Sequence, residues 1–174
     1  MRRGLNTRSI HKITLSAAFL ALALAISIIE NYIPPIIPVL PFAKIGFSNI
    51  ILLICFILLG VWEGYVILII RCLLVAVFSA NMGSLMWSLP AALMAYTIML
   101  SLYYTKHFSI AAISMIGGMI HNIIQMLMAW AIVGKGVLVY LPYMVIIGSI
   151  SGLVTGLICY FVLESIKDKI KTQN

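Results

Sequence analysis

The feature that most constrains this chain is a series of apolar segments, several of them long enough to cross a bilayer. The first runs from Ile13 to Ile29 without a charged residue, and a helix needs roughly 20 apolar residues to span the hydrocarbon core. Of the 174 residues, 64% are hydrophobic and 9% are charged, whereas a soluble domain is about half apolar and about a quarter charged. The pattern predicts an all-α integral membrane protein.

Six transmembrane helices are predicted in a single domain, as a bundle in which the second and third spans are short. Their approximate bounds are 12–32, 46–60, 64–80, 85–104, 108–133 and 138–164. The first span is expected to be retained rather than cleaved, because its apolar run is longer than a signal-peptide core. Segment 33–45 contains four prolines, which do not continue a helix. It is also apolar, so we expect an ordered connection that packs on the protein or membrane surface.

The distribution of lysine and arginine predicts that both termini are cytoplasmic in a multi-pass protein of the cell membrane. Cytoplasmic loops of membrane proteins are enriched in these residues. With both termini inside, eight of the eleven basic residues lie on the cytoplasmic side, and two, Lys44 and Lys135, lie outside. The remaining one, Arg71, lies within a span.

Several function classes are disfavoured by the sequence. The net charge of +7 comes mainly from the two ends of the chain, as in tails that flank membrane spans, and not from a basic face that would bind nucleic acid. The three cysteines sit in apolar runs without metal-ligand spacing, and no P-loop is present. We therefore expect no catalytic residue, no metal site, no directly bound cofactor and no ATPase activity in this chain.

Arg71 lies in the middle of the third span, where a charge costs at least about 2.5–3.5 kcal/mol. It should face the bundle interior and have a partner, and Glu30 is the only acidic residue within a span. Arg71 is either a structural residue bonding backbone carbonyls or a contact for an anion or substrate, and the sequence leaves both open.

The fifth span carries His121, Asn122 and Gln125 near mid-membrane. His121 and Gln125 are four residues apart, and Asn122 is three before Gln125, so the three lie close together on the helix. Either they hydrogen-bond to other helices or they form the floor of a polar pocket. Asn49 and Asn81 lie near the outer ends of the second and third spans. Each is either a helix cap or loop residue or part of an outward-facing cavity with Glu30 and Tyr32.

Small residues recur at intervals of four in two spans, which lets another helix approach closely. In the first span they are Ala17, Ala21 and Ala25. These either pack inside the bundle or form a docking face for a partner subunit. In the sixth span they are Gly148, Gly152 and Gly156, for which internal packing is favoured.

Three stretches carry a resemblance to a known family: Pro41–Asn49, Gly60–Arg71 and Gly117–Gln125. Together with the short spans, the basic start and the small-residue first helix, they resemble the substrate-binding S components of energy-coupling-factor (ECF) vitamin transporters. The chain is most similar to the Gx transporter family, whose members also carry the label heptaprenyl diphosphate synthase component I.

The resemblance implies a six-helix fold that binds a small nutrient in an outward-facing pocket. It implies that residues 33–45 act as a lid, and that Ala17, Ala21 and Ala25 contact a transmembrane coupling subunit. That subunit would sit on two cytoplasmic ATPases, which would use the ATP. The predicted substrate-binding residues are Asn49, Arg71, Asn81, His121, Asn122 and Gln125.

The sequence favours the substrate-binding subunit of an importer for a small molecule, of the vitamin or quinone and isoprenoid precursor class. One alternative is a non-catalytic membrane partner of a polyprenyl diphosphate synthase, and another is a scaffold subunit of a membrane redox complex. A catalytic synthase is disfavoured, because paired carboxylates hold magnesium against diphosphate in that chemistry and the only aspartate is Asp168. An enclosed cavity with convergent polar groups would distinguish a transporter component from a scaffold.

Overall fold

The computed structural model describes residues 7–32 and 48–172, and these two ranges fold into six α-helices. Two short 3₁₀ segments, Met82–Ser84 and Lys135–Tyr140, precede the fourth and sixth helices, and no strand occurs in the described ranges. The predicted all-α helical bundle is confirmed. In chain order the helices are α1 (Thr7–Tyr32), α2 (Ser48–Leu59), α3 (Val61–Phe78), α4 (Leu85–Thr105), α5 (Ile110–Val133) and α6 (Leu141–Thr172).

Five of these helices are long and apolar enough to cross a membrane, so the chain is a multi-pass membrane protein. The exception is α2, whose 12 residues extend about 18 Å at 1.5 Å per residue, less than the hydrocarbon core of about 30 Å. Its residues from Ile51 to Phe56 are all buried. A helix that is apolar on every side is typical of a buried position, and α2 packs inside the bundle.

Each helix packs against at least two neighbours, so that the six form a closed ring. The order around the ring is α1, α2, α6, α5, α4 and α3, with α3 returning to α1. A further contact joins α2 to α3. This order differs from the order along the chain, because α2 lies between α1 and α6. Polar side chains on the inner faces of all six helices can therefore meet in one central volume.

The most extensive helix contact is between α5 and α6, and glycines allow these two helices to approach closely. A Cβ atom added to Gly118 would collide with the carbonyl oxygen of Gly148, and one added to Gly152 would lie 2.5 Å from the carbonyl oxygen of Ser114. One added to Gly156 would lie 2.7 Å from the Cα of Ala111. The internal packing predicted for the glycines of the sixth span is therefore confirmed.

Two tight connections depend on backbone conformations that favour glycine. Gly60, with φ of +124°, joins α2 directly to α3, and Gly134, with φ of +105°, ends α5. The start of α5 is capped by Ser109, whose hydroxyl oxygen accepts a hydrogen bond from the backbone N–H of Ala112 at 3.2 Å. These local features fix where α2 ends and α3 begins, and where α5 starts and ends.

Candidate functional site

A cavity of about 160 Å³ lies between the helices, and every helix contributes to its wall. Hydroxyl, amide, imidazole and charged side chains line it, together with thiol, thioether and aromatic groups and glycine backbone. The lining residues are Ser27, Glu30, Asn49, Arg71, Cys72, Val75, Asn81, Ser84, Trp87, Ser88, Met99, Ser114, Gly118, His121, Asn122, Gln125, Gly148, Ser151, Gly152 and Thr155.

All six residues predicted to bind substrate line this cavity. They come from separate parts of the fold: Asn49 from the start of α2, Arg71 from α3, Asn81 from the turn before α4, and the other three from α5. The ring of helices thus brings together residues that lie up to 76 positions apart in the sequence, since Asn49 and Gln125 contribute to one wall. That they bind a substrate stays a prediction.

Two buried side chains of opposite charge face the cavity. Arg71 and Glu30 are each 6% exposed and belong to α3 and α1, which pack together. The guanidinium Nη2 of Arg71 also lies 3.9 Å from the Sγ of Cys72. Arg71 therefore faces the bundle interior, as predicted from the cost of exposing a charge to lipid.

Asn122 has a structural hydrogen bond as well as a place in the cavity wall. Its side-chain N–H donates to the backbone carbonyl of Met144 on α6 at 2.8 Å. About two helical turns away along α5, the hydroxyls of Ser114 and Thr155 lie 3.0 Å apart and join the same two helices. The interhelical role weighed for the polar residues of span five is therefore present for Asn122.

His121 differs from its neighbours because its hydrogen-bonding capacity is incompletely used. Its imidazole lies next to the backbone of Ala91 on α4 and close enough to Arg71 for an electrostatic interaction. Its Nδ1 is buried and has no hydrogen-bond partner in the part of the chain that the structure describes. Leaving a buried polar atom unsatisfied costs about 1–3 kcal/mol, so a bound group or water is expected to satisfy it.

The two remaining asparagines have different surroundings. Asn81 caps the 3₁₀ segment, and its side-chain oxygen accepts from the N–H of Ser84 at 3.1 Å. Because Asn81 is exposed and lines the cavity, it lies at the cavity rim. It also has the capping role that the sequence left open. Asn49 is half-buried near the start of α2. Tyr32, expected beside these residues, is 85% exposed and is not among the lining residues.

Several lining residues were not predicted as site residues from the sequence. Six of them carry small hydroxyl side chains: Ser27, Ser84, Ser88, Ser114, Ser151 and Thr155. Their sequence signal was weak, because a serine or threonine within a span satisfies itself by bonding a carbonyl of the same helix. Trp87 and Met99 on α4 were also missed, since aromatic and thioether side chains are common in any apolar span.

The predicted coupling face lies on the outer surface of α1. Ala17, Ala21 and Ala25 are all exposed, whereas Ala23 on the opposite side is completely buried. The three alanines therefore do not pack inside the described bundle, and they leave a smooth strip for lipid or a partner. The predicted lid, residues 33–45, lies outside the described residues.

No group of three or more His, Cys, Asp or Glu side chains able to hold a metal ion occurs among the described residues. The three cysteines are buried and unpaired. The cavity therefore offers hydrogen bonds and two charges, and its chemistry suits the recognition of a small polar molecule.

Comparison with protein families identifies a match over most of the chain. The family model described as heptaprenyl diphosphate synthase component I matches residues 19–162, which is most of the chain. The matched region begins in the alanine strip of α1 and extends through most of α6. Comparisons with curated proteins and with solved structures find no match.

Proposed function

This chain belongs to the heptaprenyl diphosphate synthase component I family, and we propose that it is the membrane-embedded, substrate-binding subunit of an importer of the energy-coupling-factor type. Its substrate would be a small molecule of the vitamin or quinone and isoprenoid precursor class. The family description names a component of a synthase and does not itself assign transport.

The observation that carries the proposal is the central cavity. A scaffold subunit has no need for a space inside the bundle, and it satisfies its intramembrane polar groups at helix contacts. Here polar side chains from all six helices surround about 160 Å³ of space. Keeping polar groups around a space inside the membrane is costly unless a ligand or water occupies it. Polar and ionisable residues at this depth are typical of substrate pathways.

The exposed alanine strip supports the partner side of the proposal. Ala17, Ala21 and Ala25 leave a smooth surface to which another transmembrane helix can approach closely. A coupling subunit would bind there and carry two cytoplasmic ATPases, because the chain has no P-loop of its own. ATP would then be used by the partners and not by this subunit.

Native mass spectrometry of the purified full chain tests the proposal. We expect one small molecule to be released in about one-to-one amount, and its amount to fall in a Gln125→Leu variant. Leu157→Ala is the control, because Leu157 lies on the exposed face of α6. This variant should release the small molecule in the same amount as the parent. Release of lipid and detergent alone, from parent and variants equally, would contradict a substrate-binding role.

The second candidate is a non-catalytic membrane partner of a polyprenyl diphosphate synthase, and the family description favours it. Catalysis by this chain itself is disfavoured, because it has four acidic residues in total and one aspartate. Purification of the tagged chain from its native membrane separates the two candidates. A coupling subunit with two ATPases supports the importer, whereas a prenyl synthase subunit in fixed ratio supports the partner role.

A further inference from the structure

The size of the cavity limits the ligand that the proposed binding subunit can take. A protein cavity of about 150 Å³ accommodates benzene, and the volume here is about 160 Å³. Ligand pockets for drug-sized molecules are larger, at about 300–1,000 Å³. The cavity therefore suits a compact molecule with on the order of ten non-hydrogen atoms, and a polyprenyl chain is many times too large for it.

The charges around the cavity limit the ligand further. Among the described lining residues, Glu30 supplies the one carboxylate and Arg71 the one guanidinium, so their formal charges sum to zero. Both are 6% exposed, so water screens them weakly and their charges interact strongly with a group bound in the cavity. A ligand with net charge would leave one charge in excess in a low-dielectric site, and its own desolvation would be costly.

The remaining polar groups are suited to hydrogen bonding in both directions. Amides such as Asn49 and Gln125 have both donor and acceptor atoms, and hydroxyls such as Ser88 do so as well. His121 adds a buried Nδ1 that lacks a partner among the described residues. This atom is closed off from the cavity in the ligand-free fold although His121 lines the wall. A ligand group bonds it when the imidazole turns, and satisfying the unmet hydrogen bond favours that movement.

We infer that the ligand of this cavity is a compact, multiply hydrogen-bonding molecule without net charge, which forms a hydrogen bond with His121. The inference rests on the proposed binding function and names the class of its substrate. The opposite charges of Glu30 and Arg71 select against a ligand with net charge. The volume selects against a large ligand, and His121 selects for a ligand with a polar group at its position. Specificity thus depends on three separate features of the wall.

The experiment uses the full chain in lipid nanodiscs and a panel of compact compounds grouped as amide, carboxylate and amine triplets of similar shape. One triplet is nicotinamide, nicotinate and 3-picolylamine, which are respectively neutral, anionic and cationic at neutral pH. Binding is measured by thermal shift and calorimetry, with native mass spectrometry for any co-purified molecule. We expect the tightest ligand, from the panel or co-purified, to carry no net charge. A tightest ligand that is an anion or a cation would overturn the inference.

Substitutions test the separate features. Glu30→Gln is nearly isosteric and leaves Arg71 in excess, so within a bound triplet the preference should move toward the anion by about tenfold. His121→Leu should weaken binding by about tenfold, and His121→Asn, which keeps a polar atom near Nδ1, should restore part of it. The matched control His107→Leu, at an exposed position away from the cavity, should bind as the parent does. Unchanged charge preference in Glu30→Gln, or parent-like binding by His121→Leu, would overturn the inference.

The results can contradict the ligand class without contradicting the binding function. A bound molecule that is charged, or many times larger than the cavity, contradicts the ligand class and keeps the binding function. The absence of any co-purified molecule and of any binding across the three charge classes contradicts both. Density for water alone against His121 in a structure with the tightest compound bound would show that the imidazole does not contact the ligand.

Discussion

The side-chain N–H of Asn122 donates to the backbone carbonyl of Met144 at 2.8 Å, and so a residue of the cavity wall also joins α5 to α6. Gln125, a neighbour on the same helix and also in the wall, has no such bond to another helix among the described residues. The two amides therefore allow structural and binding roles to be measured separately.

The first prediction compares Asn122→Leu with Gln125→Leu. Loss of a buried hydrogen bond costs about 1–3 kcal/mol, so Asn122→Leu should lower the melting temperature of the ligand-free protein clearly. Gln125→Leu should change it little and should weaken binding of the co-purified molecule by about tenfold or more. Thermal melts and ligand titrations in the same detergent measure both effects. Equal losses of stability with parent-like binding in both variants would remove these residues from the binding site.

The second prediction concerns the glycine contact between α5 and α6. Gly118→Ala should destabilise the bundle by about 1–3 kcal/mol or more, because its Cβ would collide with the carbonyl oxygen of Gly148. Gly136→Ala is the matched control, since nothing lies within 4 Å of a Cβ built there. Size-exclusion profiles and melting temperatures should separate the two. A Gly118→Ala protein as stable as the control would show that α5 and α6 separate easily.

The third prediction concerns α1. Ala21→Trp should insert, fold and bind ligand as the parent does, because Ala21 is exposed. It should lose the coupling subunit, because a large ring prevents the close approach of a second helix. Ala23→Trp is the contrasting variant and should fail to fold, because Ala23 is completely buried. Co-purification with partners, beside a melting curve, tests both. Normal assembly by Ala21→Trp would place the coupling surface elsewhere.

The fourth prediction concerns topology, which follows from the distribution of basic residues alone. In a background without the three native cysteines, Lys135→Cys should react with an impermeant reagent added outside cells. His107→Cys should react only after the membrane is opened. Both positions are exposed in the fold, so differences in labelling report the side of the membrane. The reverse pattern would contradict the predicted orientation, because it would place the connection between α5 and α6 in the cytoplasm.

The sequence by itself determined the class of this protein and the positions of its helices. Apolar runs with almost no charge can be stable only in a bilayer, where a helix satisfies its own backbone. For that reason the predicted segments lie close to the observed helices. The exception is α2, which was predicted as a span and is too short to cross the bilayer by itself. The same argument placed Arg71 inward, because lipid exposure of a charge is costly.

Tertiary structure alone decided which polar residues meet. Spacing along one helix can place His121, Asn122 and Gln125 close together, but it cannot say that α2 inserts between α1 and α6 or that Glu30 faces the same space as Arg71. Which polar residues meet depends on how closely the helices approach each other. For α5 and α6 that distance is set by glycines that contact residues far away in the sequence. Helix formation in a membrane is a local property of the chain, whereas the cavity is a property of the ring that the helices form together.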